Sequence, residues 1–179
     1  MMRRFSCLAH WVGWLVLGCL PEMVLANGLR SVPEHEMKAA YLYNFALLTS
    51  WPGSPSGVFN VCVVGQDDYV AAVDVLQGKS VGRQPIQVLQ LAQPEDAPKC
   101  HVVFVSDIEP TRVARLWAAI HGTSVLTVTD DKRLQGETMI YLEPDNQRLV
   151  FEVNMVPVRR AELTLSSKLL RLAKRVIAP

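Results

Sequence analysis

A chain of 179 residues, half of them hydrophobic and with a formal net charge of +1, is long enough for one domain with a real core and too evenly charged to offer nucleic acid a general field. An aromatic content of 7% supplies few platforms for stacked bases. A nucleic-acid-binding role is therefore set aside at the outset.

Arg3 and Arg4 precede an apolar run from Trp11 to Leu20, and Val24-Leu25-Ala26 follows. This order predicts a secretory signal peptide over residues 1–26, cut after Ala26, and a single domain over 27–179. The run is too short, and too soon followed by Pro21 and Glu22, for a transmembrane anchor. Val16-Leu17-Gly18-Cys19 imitates a lipoprotein box and keeps lipidation of Cys19 as an alternative, although Leu17 is bulky where a small residue is usual. Either route puts the folded part outside the cytoplasm. Cys7 and Cys19 leave with the leader, so the mature chain keeps Cys62 and Cys100. Two thiols in an oxidising compartment pair most simply as a disulfide, worth about 4 kcal/mol by loop-closure entropy. A metal-binding or reactive thiol is the competing reading, and it lacks a CxxC or a neighbouring second ligand.

Ser31 and Glu34 have capping-box spacing and Pro33 suits a first turn, so a helix is expected from there to about Ser50, with Pro52 stopping it. Glu34 and Lys38 add an i,i+4 pair. From Ala39 to Leu48 apolar groups cover every side of this helix. It must be buried from several directions or keep one side for a partner. Phe59–Gly65 reads as a strand and Asp67–Leu76 as a helix, the start of a βαβ unit. Val81–Leu91, with Pro85 inside it, reads as an edge strand. Gln93–Pro98 is a loop or brief helical turn, and His101–Val105 is a strand covered on both faces. Thr111–Ile120 is a helix, Ser124–Thr129 a buried strand, and Met139–Leu142 with Leu149–Asn154 a hairpin. Val156–Ala161 forms a short helix. A last helix runs from Ser166 or Ser167 to about Ile177, with Leu169, Leu172, Ala173 and Val176 inward and Lys168, Arg171, Lys174 and Arg175 outward. The alternation predicts an α/β fold, a single three-layer α/β/α domain whose mostly parallel sheet carries a late antiparallel hairpin.

No catalytic set emerges. His35-Glu36-Met37-Lys38-Ala39 begins like a zinc-protease HExxH but has Ala39 in place of the second histidine, so no metal site follows. Gly65-Gln66-Asp67-Asp68 lacks the glycines of a nucleotide loop; Asp67 and Asp68 suit a helix N-terminus. With Asp107 and Asp130-Asp131 they are expected at one end of the sheet, where a small cation or amine pocket is conceivable. No GxSxG elbow occurs, and neither His101 nor His121 is placed as a general base. The basic group Arg159, Arg160, Lys168, Arg171, Lys174 and Arg175 is either a solvated face or a contact for an acidic partner or anionic lipid.

Taken together, KAAYLYNFALLTSWP, FNVCVVGQDD, CHVVFVS, SVLTVTD, MIYLEPDNQRLVFEVN and SSKLLRLAKRV resemble the YfiR-like family of secreted bacterial proteins, in order from about Glu36 to Val176. The resemblance implies a periplasmic α/β/α domain without catalysis or cofactor. It implies a repressor that binds the periplasmic sensor domain of an inner-membrane diguanylate cyclase and lowers cyclic di-GMP, so that biofilm formation follows envelope redox state. It also implies the Cys62–Cys100 disulfide. The chain departs from the pattern at Glu137-Thr138, where many members have a glycine pair, and lacks the second cysteine pair of some relatives. The alternative is a periplasmic solute-sensing module serving another membrane receptor or kinase, with its pocket at the carboxyl ends of the strands. On the first helix, Met37, Tyr41, Phe45 and Leu48 are expected against the sheet. Leu42, Tyr43, Ala46 and Leu47 are left unexplained by the sheet alone and are expected to pack on another element, a second copy of the chain or the cyclase.

Overall fold

The computed structural model describes residues 33–53, 57–65, 67–146 and 148–178, with side chains left undescribed at 67 and 68. The signal peptide, the Cys19 alternative and the Ser31 cap lie outside these residues. In chain order the elements are α1 (Glu34–Leu47), β1 (Thr49–Ser50), β2 (Phe59–Val64), α2 (Asp67–Val73), β3 (Ser80–Val81), β4 (Gln84–Gln90), β5 (Val102–Val105), α3 (Pro110–Ile120), β6 (Leu126–Thr129), β7 (Ile140–Asp145), β8 (Arg148–Asn154), α4 (Met155–Arg160), β9 (Thr164–Leu165), α5 (Ser167–Leu172) and β10 (Arg175–Ile177). Single 3₁₀ turns follow α2 at Asp74–Leu76 and precede β5 at Pro94–Lys99.

Eight strands form one sheet in the order β10-β8-β7-β6-β5-β2-β4-β3, while β1 and β9 pair separately. β4, β2, β5, β6 and β7 run parallel, β7 and β8 form the antiparallel hairpin, and β10 lies parallel to β8. Strands buried on both faces feed two cores by simple alternation. Val61, Val63, Val102 and Phe104 point to the face covered by α1, α2 and α5. Cys62, Val64, Val103 and Val105 point to the face covered by α3 and the Pro94–Lys99 turn. The sheet therefore sits between two helical layers, as the alternation predicted.

Three boundaries differ from expectation, each because a long-range pairing overrides a local pattern. α1 stops at Leu47, since Thr49 and Ser50 pair with Leu165 and Thr164, and Ser166 donates its N–H to the Leu48 carbonyl at 2.9 Å. The strand containing Pro85 is not an edge: β2 flanks β4 on one side, and β3 pairs Ser80 with Pro85 on the other. Beyond β3 the backbone turn at 77–79 keeps that flank occupied, with Gly78 N–H on the Ile86 carbonyl at 2.9 Å and the Gln77 side-chain oxygen accepting from Val88 N–H at 2.8 Å.

The third difference is at the end of the chain. α5 closes at Leu172, and Arg175–Ile177 becomes β10 instead of continuing the helix. Lys174 N–H donates to the Phe151 carbonyl at 2.8 Å and leads the chain onto β8. Leu169 is buried as expected, but Leu172 is 63% exposed and Val176 40% exposed. Lys174 and Arg175 are not a free solvated row. They pair with Glu143 and Glu152 across the face of the hairpin that α3 leaves uncovered.

Candidate functional site

In a doubly wound sheet the ligand crevice opens at the carboxyl ends of the strands, where the direction of winding reverses. Here that point lies between β2 and β5, and it is closed. A Cβ at Gly65 would collide with the Ser106 carbonyl, so the two chain segments meet without room between them. Beside them the ammonium of Lys38, from the first turns of α1, lies 2.6 Å from Asp130 Oδ2 at the end of β6 and 2.6 Å from Glu34 Oε1. It also sits 5.1 Å from the centre of the Tyr69 ring. Burial disfavours the charge, but hydrogen bonds to Asp130 and Glu34 outweigh it and raise the Lys38 pKa above its ordinary value. The expected cation or amine pocket thus already holds the protein's own amine.

The neighbouring carboxylates are engaged as well. The Asp131 carboxylate accepts from Arg133 Nε at 2.9 Å, from Arg133 Nη2 at 2.6 Å and from the Arg133 backbone N–H at 2.9 Å, and these bonds hold its pKa below the usual range. Arg133 also approaches Asp107 at 3.8 Å. Asp67 belongs to the first turn of α2. Among the described residues no group of three or more His, Cys, Asp or Glu side chains is placed to hold a metal.

On α1 the expected division of faces fails. Leu42 and Ala46 are 0% exposed and belong to the core, so they cannot meet a partner. The side buried deepest is Lys38, Ala39, Leu42, Phe45 and Ala46, because α1 is covered by α2 as well as by the sheet. Tyr43 is half-buried; its hydroxyl donates to the Ser80 carbonyl at 3.1 Å and ties α1 to β3. Leu47 alone of the four is open, at 45%. Tyr41, Phe45 and Phe151 form an edge-to-face set toward the hairpin. Around them Met37, Leu47, Leu48, Leu169 and Leu172 line a groove of about 630 Å³ between α1 and α5.

Cys62 in β2 and Cys100 ahead of β5 are joined, with Cα atoms 6.0 Å apart at a sequence separation of 38. Both are buried in the α3-side core. The bond therefore crosslinks two strands that already pair, with Cys62 opposite Val103. His101, the next residue, accepts the Asn60 N–H on Nδ1 at 3.0 Å and stacks on Phe59 at 4.5 Å. Burial pushes its pKa below the ordinary value.

The crevice at the carboxyl ends is thus filled, β2 is crosslinked to the segment leading into β5, and an apolar groove stays open between α1 and α5. Residues 35–174 match the YfiR/HmsC-like family along nearly all of the described domain. The chain belongs to that family. YfiR/HmsC-like proteins are periplasmic regulators, not enzymes, and no helix among the described residues is long and apolar enough to cross a membrane. Where other YfiR/HmsC-like chains were expected to carry a glycine pair, Thr138 is buried and its hydroxyl donates to the Leu134 carbonyl at 3.0 Å, closing the turn by side chain.

Two features escaped sequence reasoning. Lys38 was legible only as the partner of Glu34, since nothing local announces a contact to Asp130. The open groove depends on Leu172, which periodicity placed inside; the β-branched pair Val176-Ile177 was the available sign that the helix would give way to a strand before reaching it.

Proposed function

We propose that this protein is a periplasmic repressor that binds the sensor domain of an inner-membrane diguanylate cyclase and lowers cyclic di-GMP, with the Cys62–Cys100 bond keeping it competent. Membership of the YfiR/HmsC-like family, over residues 35–174, is the observation that carries this reading. The geometry supports it: the groove between α1 and α5 is apolar and open, and Leu47 and Leu172 present large side chains at its rim. Exposed apolar groups gathered around one groove suit a protein partner better than solvent. The docking surface proposed is therefore Leu47 with Leu172, replacing the wider α1 face.

The test is copurification of the protein with periplasmic domains of the membrane diguanylate cyclases of its own organism, with cellular cyclic di-GMP measured after deletion of the gene. A specific complex and a rise in cyclic di-GMP are expected. Unchanged cyclic di-GMP in the deletion strain would overturn the regulatory reading.

A further inference from the structure

The chain leaves its core before it ends. Leu169, in α5, is 1% exposed, and from Leu170 to Ala178 no residue is buried. Apolar burial therefore contributes little to holding β10, and its attachment to β8 is mainly polar. Arg175, Val176 and Ile177 lie beside Glu152, Val153 and Asn154 of β8. Just before them Lys174 donates its N–H to the Phe151 carbonyl at 2.8 Å, and its ammonium lies 2.7 Å from Glu143 and 3.6 Å from Asp145. Only Ala173 and Lys174 separate β10 from Leu172, which lines the α1–α5 groove from its α5 side.

Glu152 is the centre of this attachment. It is 8% exposed, and its Oε2 accepts from Arg175 Nη2 and from Gln135 Nε2, the latter at 2.7 Å. On β7 its register partner is Tyr141, whose phenol burial and the nearby carboxylates keep neutral. Lys174 is the other cation acting on it; Arg159 and Arg160 of α4, which packs against β10, form no ion pair with it. Burial works to raise the Glu152 pKa, but the bonds from Arg175 and Gln135 outweigh it and hold the carboxyl below its ordinary value. Freed from Arg175 and returned to water, the carboxyl would titrate near the usual value of about 4.3. The ionised group thus holds the strand above that pH, and the hold is lost as the pH falls through the lower, attached value.

We infer that residues 173–178 form an acid-released strap. With Glu152 ionised the strap lies along β8 and anchors the C-terminal end of α5; with Glu152 protonated it comes away, and the wall of the groove that carries Leu172 loosens. Opening also places the Glu152 carboxyl in water, so the group that closes the strap is not left buried and unpaired when it opens. Short segments with little buried apolar surface are the ones that open locally while the rest of a domain stays folded. The effect on docking rests on the groove being the cyclase surface, whereas opening is a property of the protein alone, so the two fail independently.

Hydrogen exchange of the full protein, followed by mass spectrometry and expressed as protection relative to the intrinsic rate at each pH, is the test. At pH 7 Glu152→Gln is expected to lower protection in residues 174–178 and in α5 by about 3- to 10-fold, between the effects of an exposed ion pair and of a buried charged bond, with β2 and β5 unchanged. Between pH 6 and pH 4 the wild type is expected to lose protection in the same two segments, and Glu152→Gln to lose less. Should Glu152→Gln not fold, Arg175→Gln, at an exposed position, is expected to give the same loss at pH 7. An equal loss across β2, β5 and β10, opening of β10 with α5 unmoved, or an acid response of the same size in wild type and Glu152→Gln would each overturn the strap. Capture of the cyclase domain is scored separately: its absence in the wild type at pH 7 counts against the docking surface, while exchange alone decides the strap.

Discussion

Lys38 reaches 92 residues along the chain to Asp130, and its side chain is 6% exposed against 10% for its partner. Removing one member of such a pair leaves the other charge buried and unmatched, which costs about 3–5 kcal/mol. Lys38→Met is expected to lower stability by that order in urea denaturation. Lys38→Met combined with Asp130→Leu should recover part of the loss, because apolar groups of similar size then meet each other. His101 makes a prediction about pH. In the unfolded chain it titrates near 6.5, whereas the native side chain, buried and using Nδ1 as an acceptor, has a lower value. Its contribution is complete above the unfolded value. As the pH falls below about 6.5 the unfolded chain takes up a proton that the native state refuses, and stability drops until the native pKa is passed. Scanning calorimetry between pH 7 and pH 5 should show a steeper fall in Tm for the wild type than for His101→Gln. Sequence exposed His101 as a strand-entry residue beside a cysteine. It did not expose the ring stacking or the Asn60 bond, which come from β2 and β5 lying side by side.

Helix α1 shows why an all-round apolar segment is ambiguous when read alone. Its periodicity is weak because it is enclosed by the sheet on one side and α2 on another, so no single stripe records the direction of the core. Phe45 was placed correctly, while Leu42 and Ala46 were assigned to the wrong side, since the neighbour that buries them is a second helix. Tyr43→Asp is accordingly a poor probe of partner binding, because it also severs the link to Ser80. Leu47→Glu and Leu172→Glu are better. Both positions are open, so each variant should keep its stability to within about 0.5 kcal/mol in chemical denaturation. Both are expected to abolish capture of the cyclase domain and raise cyclic di-GMP. Full repression by the doubly substituted protein would remove the groove from the mechanism. The last helix was misjudged for a different reason: four of its eleven expected residues, 167–177, are Lys or Arg, and charge at helical spacing looks the same whether it meets water or the carboxylates of β7 and β8.

The order of strands and helices was legible across the domain, because fully buried parallel strands are short apolar runs bounded by glycine and polar turns. The strand order was not, since it depends on the chain passing back over β2 after β4. The disulfide joins these two kinds of information: two cysteines were visible, and their adjacency follows from β2 lying beside β5. Opening it frees a 38-residue loop in the unfolded chain, so Cys62→Ser with Cys100→Ser is expected to cost about 4 kcal/mol in denaturant midpoint experiments. Wild-type protein treated with reductant should approach the same midpoint once both thiols are free. If the bond also governs repression, the substituted protein will lose the cyclase at temperatures where it remains folded.

The two flanks of the sheet are finished differently from its middle. On one side β3 has two residues, and Gln77 with the 77–79 backbone occupies the hydrogen-bonding positions of β4 beyond it. On the other, β10 has three residues. An extended strand from a neighbouring molecule would find at most a few ladder positions at either flank, too few to lock a register. Two copies of this protein would therefore gain little by pairing their sheets edge to edge, so any association is expected to run through side-chain surfaces.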